Sequence, residues 1–276
     1  MRIITLTTDF GTRDWFVGTM KAVIVGILPR ANVVDITHEI PPGDIRAGAF
    51  ALMASCRYFP RGTVHVAVVD PGVGSQRQAI AVQTAHRFFV GPDNGVLSWG
   101  LALEKIKTIR LLENRQYFLQ QVSRTFHGRD VFAPVAAHLS RGLSASRLGR
   151  ELKDFVRLPW PRTTKQRGEV QGEIVHIDRF GNAITNIETE MVSCERVGLC
   201  EMPGGILRCR AVQPSGGSDW FERSSGNCGK RRIGRPAVWI ENRRQSDRAH
   251  EVLSKAASDQ AGIGFHCILT KGLGKA

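Results

Sequence analysis

Val66-Ala-Val-Val-Asp-Pro-Gly-Val-Gly74, with Arg77 just beyond it, decides how the rest of the chain is read. An apolar run meets a carboxylate, and a Pro-Gly-Val-Gly turn follows at once. A run of that length bounded by turn residues predicts a buried strand, here over residues 63–70. Asp70 then stands where a central strand gives way to a loop, the edge at which open α/β sheets bind ligands. The glycines let backbone approach a ligand closely, and Arg77 is near enough to fold back on Asp70. A strand-end Asp that caps its own turn is the plainer alternative.

Upstream, residues 3–7 predict a first strand, with Asp9 just past its end. Phe16, Val17, Met20, Val23, Ile24 and Ile27 recur at helical spacing. Residues 14–28 therefore predict a helix, with Asp14 as its N-cap and Pro29 as its stop. A strand over 32–36 follows, then a turn whose Asp44 caps a helix running to about Tyr58. Downstream, residues 79–83 and 87–90 predict a hairpin, and Gly91-Pro-Asp-Asn-Gly95 a compact loop at another strand end. A short helix and a strand near 106–112 precede Thr125-Phe-His-Gly-Arg-Asp130, which opens a helix over 131–141.

The β-α-β-α-β alternation predicts an α/β domain over residues 1–158, built on a mainly parallel sheet. Residues 159–167 are polar and Pro-containing and read as a linker. From residue 168 the pattern changes to strands over 169–177, 184–187 and 206–212, with Asp178-Arg-Phe-Gly-Asn182 as a turn. These predict a smaller all-β, barrel-like domain over 168–217, left incomplete by an atypical stretch over 218–276.

The chain has 276 residues and is 42% hydrophobic, enough to bury a full core. No apolar run is long enough for a membrane span, and the first residues form a strand rather than a signal peptide. The six Cys contain no CxxC pair, which argues against a zinc site and a disulfide framework and fits a reducing cytoplasm. A net charge of +13 raises nucleic acid as a partner, but the two Tyr and the lack of basic runs interleaved with aromatics argue against it.

Polar residues gather at strand ends: Asp9, Asp70 with Arg77, Asp93-Asn94, His127 and the Asp178–Asn182 turn. Each has a bland explanation as a turn former, a helix-start histidine or a hairpin. Their joint recurrence at strand ends, with plain strands between, is what favours a site. Gly-x-Gly-x-x-Gly after the first strand, a phosphate loop, Gly-x-Ser-x-Gly and His-Glu-x-x-His are all missing from the chain. That disfavours nicotinamide enzymes, phosphate-loop enzymes, serine hydrolases and zinc proteases. A single candidate His beside an Arg makes a metal site weak.

The chain resembles the S-adenosyl-L-methionine hydroxide adenosyltransferases, or S-adenosylmethionine (SAM) hydrolases, relatives of the fluorinating and chlorinating enzymes. The resemblance rests on Thr8-Asp-Phe-Gly11, Asp35-Ile-Thr-His38 with Ile40-Pro-Pro42, Val68-Val-Asp-Pro-Gly-Val-Gly74, Gly91-Pro-Asp-Asn-Gly95, Phe126-His-Gly-Arg-Asp130 and Ile177-Asp-Arg-Phe-Gly-Asn182, in family order. It implies an N-terminal α/β domain joined to a C-terminal β-barrel, and a cytoplasmic homotrimer with the site at the subunit interface. It implies SAM as substrate, no cofactor and no metal. The family's catalytic Asp, Arg and His fall on Asp70, Arg77 and His127. Substrate-binding roles fall on Asp9 for the ribose, Asp178 for the methionine ammonium, Asn182 for the adenine and Phe180 for packing; Asn94 is counted with them. Halogenating relatives carry a Tyr where Asp70 stands and a halide-binding Ser where Gly128 stands.

The implied chemistry is attack of water on the ribose 5′ carbon, in line with a sulfonium C–S bond. Asp70 and His127 would orient and deprotonate that water, with Arg77 pairing Asp70. The alternatives are a non-catalytic, or C-terminally damaged and inactive, adenosine or SAM binder, which a turnover assay separates, and a halogenase, which Asp70, His127 and Gly128 disfavour. The atypical tail has its own explanation. Moving the frame forward by one base across residues 219–236 lets permitted codons read IGSSGRLEIAVNEGSAA, a text that is not part of this chain but matches the family's pattern there. The tail is thus expected to be the product of a frameshift near residues 214–219, with no strand or helix period of its own.

Overall fold

The computed structural model describes residues 2–166, 169–180, 183–188, 197–200, 206–211 and 267–270. They fall into two compact units, one ending at Pro159 and the other beginning at Trp160.

The first unit runs β1 (Ile3–Thr8), α1 (Phe16–Ile27), β2 (Asn32–Thr37), α2 (Ile45–Cys56), β3 (Val64–Val68), β4 (Ala79–Thr84), β5 (Phe88–Pro92), α3 (Ser98–Leu101), β6 (Ile106–Leu111), α4 (Ala133–Arg141) and β7 (Glu151–Leu152). Its seven-stranded sheet has the order β2-β1-β3-β5-β4-β6-β7. Strands β2, β1, β3 and β5 are parallel. β4 turns back against β5, and the β4-β6-β7 edge is antiparallel.

β3 lies near the middle with all five residues buried, because both of its faces are covered. Val64, Val66 and Val68 join one core cluster with Met20 and Ile24 of α1 and Val135 and Leu139 of α4. Ala67 and Val69 join the other with Leu52 and Cys56 of α2 and Leu101 of α3. A strand wrapped by helices on both sides reads as a near-continuous apolar run, as this one does apart from His65. Gly91 lets β5 close against β3, since a Cβ there would stand 2.4 Å from the Ala67 carbonyl oxygen.

Three local expectations change in the structure. Asp14 does not cap α1; the helix starts at Phe16 after Trp15, with no side-chain cap. Its start is set by aromatic packing, with the Phe16 ring 6.0 Å from Phe10 and 5.2 Å from Phe126. β3 stops at Val68, so Asp70 stands two residues past the strand rather than in it. The helix expected from residue 131 begins at Ala133, behind a π-helical turn over Gly128–Phe132 in which Ala133 N bonds Gly128 O. Pro134 has no N–H to offer the Asp130 carbonyl, which accepts from Leu119 N instead at 2.9 Å. Asp44, by contrast, caps α2 as expected, accepting from Ala47 N at 2.9 Å.

The second unit holds β8 (Thr164–Gln166), β9 (Glu169–Ile177), β10 (Ala183–Glu188), β11 (Val197–Cys200), β12 (Ile206–Ala211) and β13 (Cys267–Thr270). They form a sheet ordered β11-β12-β9-β10-β13, with β8 also paired to β9. All pairs are antiparallel except β10 with β13. β8 falls in the stretch read as a linker, and β13 in the tail where no strand was expected; Cys267-Ile-Leu-Thr270 is a short apolar run that can pair. The frameshift expectation near 214–219 lies outside the described residues. Among the described residues, no helix is long and apolar enough to cross a membrane.

Candidate active site

The loop leaving β3 carries Asp70, and it returns at Arg77 immediately before β4. That return is what lets two residues seven apart meet. Arg77 Nε donates to Asp70 Oδ1 and Oδ2 at 3.0 and 2.9 Å, and Nη2 donates to Oδ2 at 2.5 Å. Both side chains are nearly enclosed, 11% exposed for Arg77 and 5% for Asp70. Charge-assisted bonds of this forked kind hold a carboxylate in one orientation.

His127 arrives from fifty residues away, at the entrance to the π-helical turn. Its Nδ1 lies 2.7 Å from Arg77 Nη2. A guanidinium has donors and no acceptor, so Nδ1 accepts and the neutral ring carries its proton on Nε2. Burial, then the positive charge of Arg77, pushes the His127 pKa down, against the opposing pull of Asp70, Asp130 and the Ser123 carbonyl. The ring is therefore held toward its neutral form. One guanidinium thus joins all three expected catalytic residues. π-helical turns recur at functional sites, where they re-aim side chains.

Asp9, Asp70, His127 and Gly128 line one cavity of about 280 Å3, with Phe10 and Phe16 forming apolar wall. Asp9 is fixed from behind, its Oδ2 accepting from Gly43 N at 2.8 Å. A second cavity of about 560 Å3 also meets His127 and has Arg77 in its wall. Gly74, at φ +77°, is needed where the Asp70 loop abuts the strand of chain before His127; a Cβ there would stand 2.7 Å from the Arg124 carbonyl oxygen.

Asn94, Asp178 and Phe180 come from other loops. Asn94 does not line the small cavity. Its Nδ2 donates to Val69 O at 2.8 Å and its Oδ1 accepts from Val96 N at 3.2 Å, so it braces the backbone just before Asp70. Asp178 and Phe180 belong to the second unit, in the turn after β9, where Phe180 N donates to Asp178 Oδ1 at 2.9 Å. Phe180 is 71% exposed. Asn182 lies outside the described residues. Phe10 and Phe16 were not named beforehand as cavity walls; Phe10 stood within Thr8-Asp-Phe-Gly11, and Phe16 looked like ordinary helix core. Among the described residues, no group of His, Cys, Asp and Glu could hold a metal ion.

The match to a protein family covers this geometry. The family model described as the SAM hydroxide adenosyltransferase N-terminal domain matches residues 4–149, and that of the C-terminal domain matches residues 172–203. A protein of Salinispora tropica named (R)-S-adenosyl-L-methionine hydrolase is 43% identical over 182 residues, 65% of this chain and 69% of that protein. A protein of the same name from Methanocaldococcus jannaschii is 43% identical over 196 residues, 69% of each chain. A fluorinase from an Actinoplanes species is more distant, 28% identical over 214 residues, 67% of this chain and 71% of that one. A crystal structure of an uncharacterized conserved protein from Thermotoga maritima superposes with a TM-score of 0.69 at 38% identity, covering 75% of this chain and 81% of the other.

Proposed function

We propose, for a chain that belongs to the SAM hydroxide adenosyltransferase family, that it is a hydrolase converting S-adenosyl-L-methionine and water to adenosine and L-methionine. The observation that carries this reading is the Asp70–Arg77–His127 array in the wall of the small cavity, joined through one guanidinium.

The reaction asks little of an acid and much of positioning. Water attacks the ribose 5′ carbon opposite sulfur; the C–S electron pair leaves with sulfur as a neutral thioether, so the leaving group needs no proton. The water loses its proton, and the sulfonium charge is replaced by one proton released per turnover. Asp70 is the base. A carboxylate has roughly four lone-pair sites, so its three bonds from Arg77 leave room to accept from water. Arg77 fixes the direction in which that acceptor points. His127, with Nδ1 accepting from Arg77, has only an Nε2 donor to offer, so it orients oxygen rather than sharing the deprotonation. The apolar walls of Phe10 and Phe16 limit bulk water and strengthen these contacts.

The finer assignments extend the family resemblance. Asp9 holds the ribose hydroxyls, Asp178 the ammonium, Asn182 the adenine, and Phe180 packs on substrate. The protein is a homotrimer with its site at the subunit interface, and takes no cofactor. The relatives' name specifies the (R) epimer, which makes it the first to assay.

Purified protein is incubated with each sulfonium epimer, adenosine is followed by chromatography, and released acid by titration. Equimolar adenosine and protons are expected. Binding of SAM without adenosine would replace this reading by that of a non-catalytic binder. Light scattering at about one chain mass would remove the trimer.

A further inference from the structure

Asp130 is fully buried, 0% exposed, and lines neither cavity around the catalytic array. Burying a carboxylate is costly unless it is paired and hydrogen-bonded. Here Oδ1 takes Arg129 Nε at 2.6 Å and Oδ2 takes Arg129 Nη2 at 3.2 Å. Oδ2 also accepts the backbone N–H of Ser123 at 2.8 Å. The main chain adds two ties, Asp130 O from Leu119 N and Asp130 N to Phe126 O, each 2.9 Å. Asp130 thus fastens the loop before His127 to the π-helical turn after it.

His127 lies within the segment closed in this way, between Ser123 and Asp130. The ring in turn meets Arg77 at 2.7 Å, and Arg77 grips Asp70. Asp130 therefore closes the segment that presents His127 to Arg77, and Arg77 holds Asp70.

We propose that Asp130 is a positioning residue for the hydrolytic site, closing the 123–130 segment so that the His127 ring stays on the Arg77 guanidinium. The kinetic consequence rests on the hydrolase reading; the consequence for the imidazole does not. A neutral amide at this position can still accept from Ser123 N–H, but it cannot also satisfy both donors of Arg129, so the clamp loosens. Small misplacements of catalytic groups cost rate rather than binding.

The test combines Asp130→Asn with His127→Ala in a double-mutant cycle, each variant checked for cooperative thermal unfolding. Asp130→Asn is expected to lower kcat about tenfold with KM changed less than about threefold, because misplacement acts on the transition state. In the His127→Ala background the same change is expected to lower kcat no further, since residues acting through one another are non-additive. An unchanged kcat, or an equal loss in both backgrounds, overturns the proposal. If the wild type shows no turnover, or Asp130→Asn does not fold, nitrogen chemical shifts of the His127 ring in wild-type protein decide. A single tautomer protonated at Nε2 supports the clamp; a ring exchanging freely between tautomers overturns it.

Discussion

The loop after β3 and the turn after β9 both place an Asp beside a strand end, yet they are built differently. Asp70 is 5% exposed and is gripped by an arginine seven residues away, which in turn holds a histidine fifty residues further on. In the other, Asp178 accepts from Phe180 N two residues on, and the Phe180 ring is 71% exposed. The first is a long-range assembly enclosed by the sheet and its helices. The second carries a bond within its own turn and an exposed aromatic ring. The contrast teaches that a strand-end Asp is only a candidate; what arrives from elsewhere in the chain decides its chemistry.

The comparison breaks most sharply at the carboxylates. Asp70→Asn keeps the size but removes the base, and turnover is expected to fall about a hundredfold or more while SAM binding survives. Adenosine formation measures the first and calorimetry the second; full turnover would return Asp70 to the role of turn former. Asp178→Asn is expected to act on binding instead, raising KM about tenfold or more as a charged hydrogen bond is lost, with kcat less affected. Reversal of that split between KM and kcat would exchange the two roles.

A third prediction concerns His65, which sits within β3, the strand that leads to the site, rather than in the site itself. Burial, with the nearby Arg87 charge, lowers its pKa to about 3. Nδ1 meets Thr5 Oγ1 at 2.8 Å, and the ring packs against Phe59 and Phe89. The unfolded chain takes up a proton below about pH 6.5 that the folded chain refuses. Stability is therefore complete above that value and falls as the pH drops from about 6.5 toward 3. Between pH 6.5 and 4.5 the wild-type unfolding free energy should fall more steeply than that of His65→Asn, by up to about 1.4 kcal/mol per pH unit. Parallel slopes in denaturant titrations would show that His65 does not stay neutral in the fold.

The smallest effect expected is none at all. Gly128 offers no hydroxyl to a halide, so adenosine should remain the product in molar chloride; 5′-chloroadenosine would move the protein toward its fluorinase-like relatives. Gly128→Ser alone should not create that activity, because the new Cβ would stand 3.0 Å from the Phe10 ring and press on the cavity wall. The second unit is sharpened by sequencing the gene across codons 205–250. A one-base shift restoring the family's pattern is expected there, and an unaltered frame would end that explanation of the tail.

Sequence by itself determined the core of the first unit, since a doubly covered parallel strand must be largely apolar and Val66-Ala-Val-Val69 is. It determined the α2 cap, because an Asp before a helix bonds a backbone N–H three residues on, and the β4-β5 hairpin, because its strands are close in the chain. It also named Asp70, Arg77, His127 and Asp9, through motifs in family order. Only the tertiary structure decided which of these meet. Periodicity cannot report that β3 ends at Val68, that a π-helical turn precedes Pro134, or that Asn94 braces Val69. Nor can it give the His127 tautomer, which follows from an arginine fifty residues away pointing a donor at Nδ1. Local bonding and burial leave a mark within a few residues; contacts between distant segments depend on how the sheet brings its strand ends together, and that geometry is a property of the whole fold.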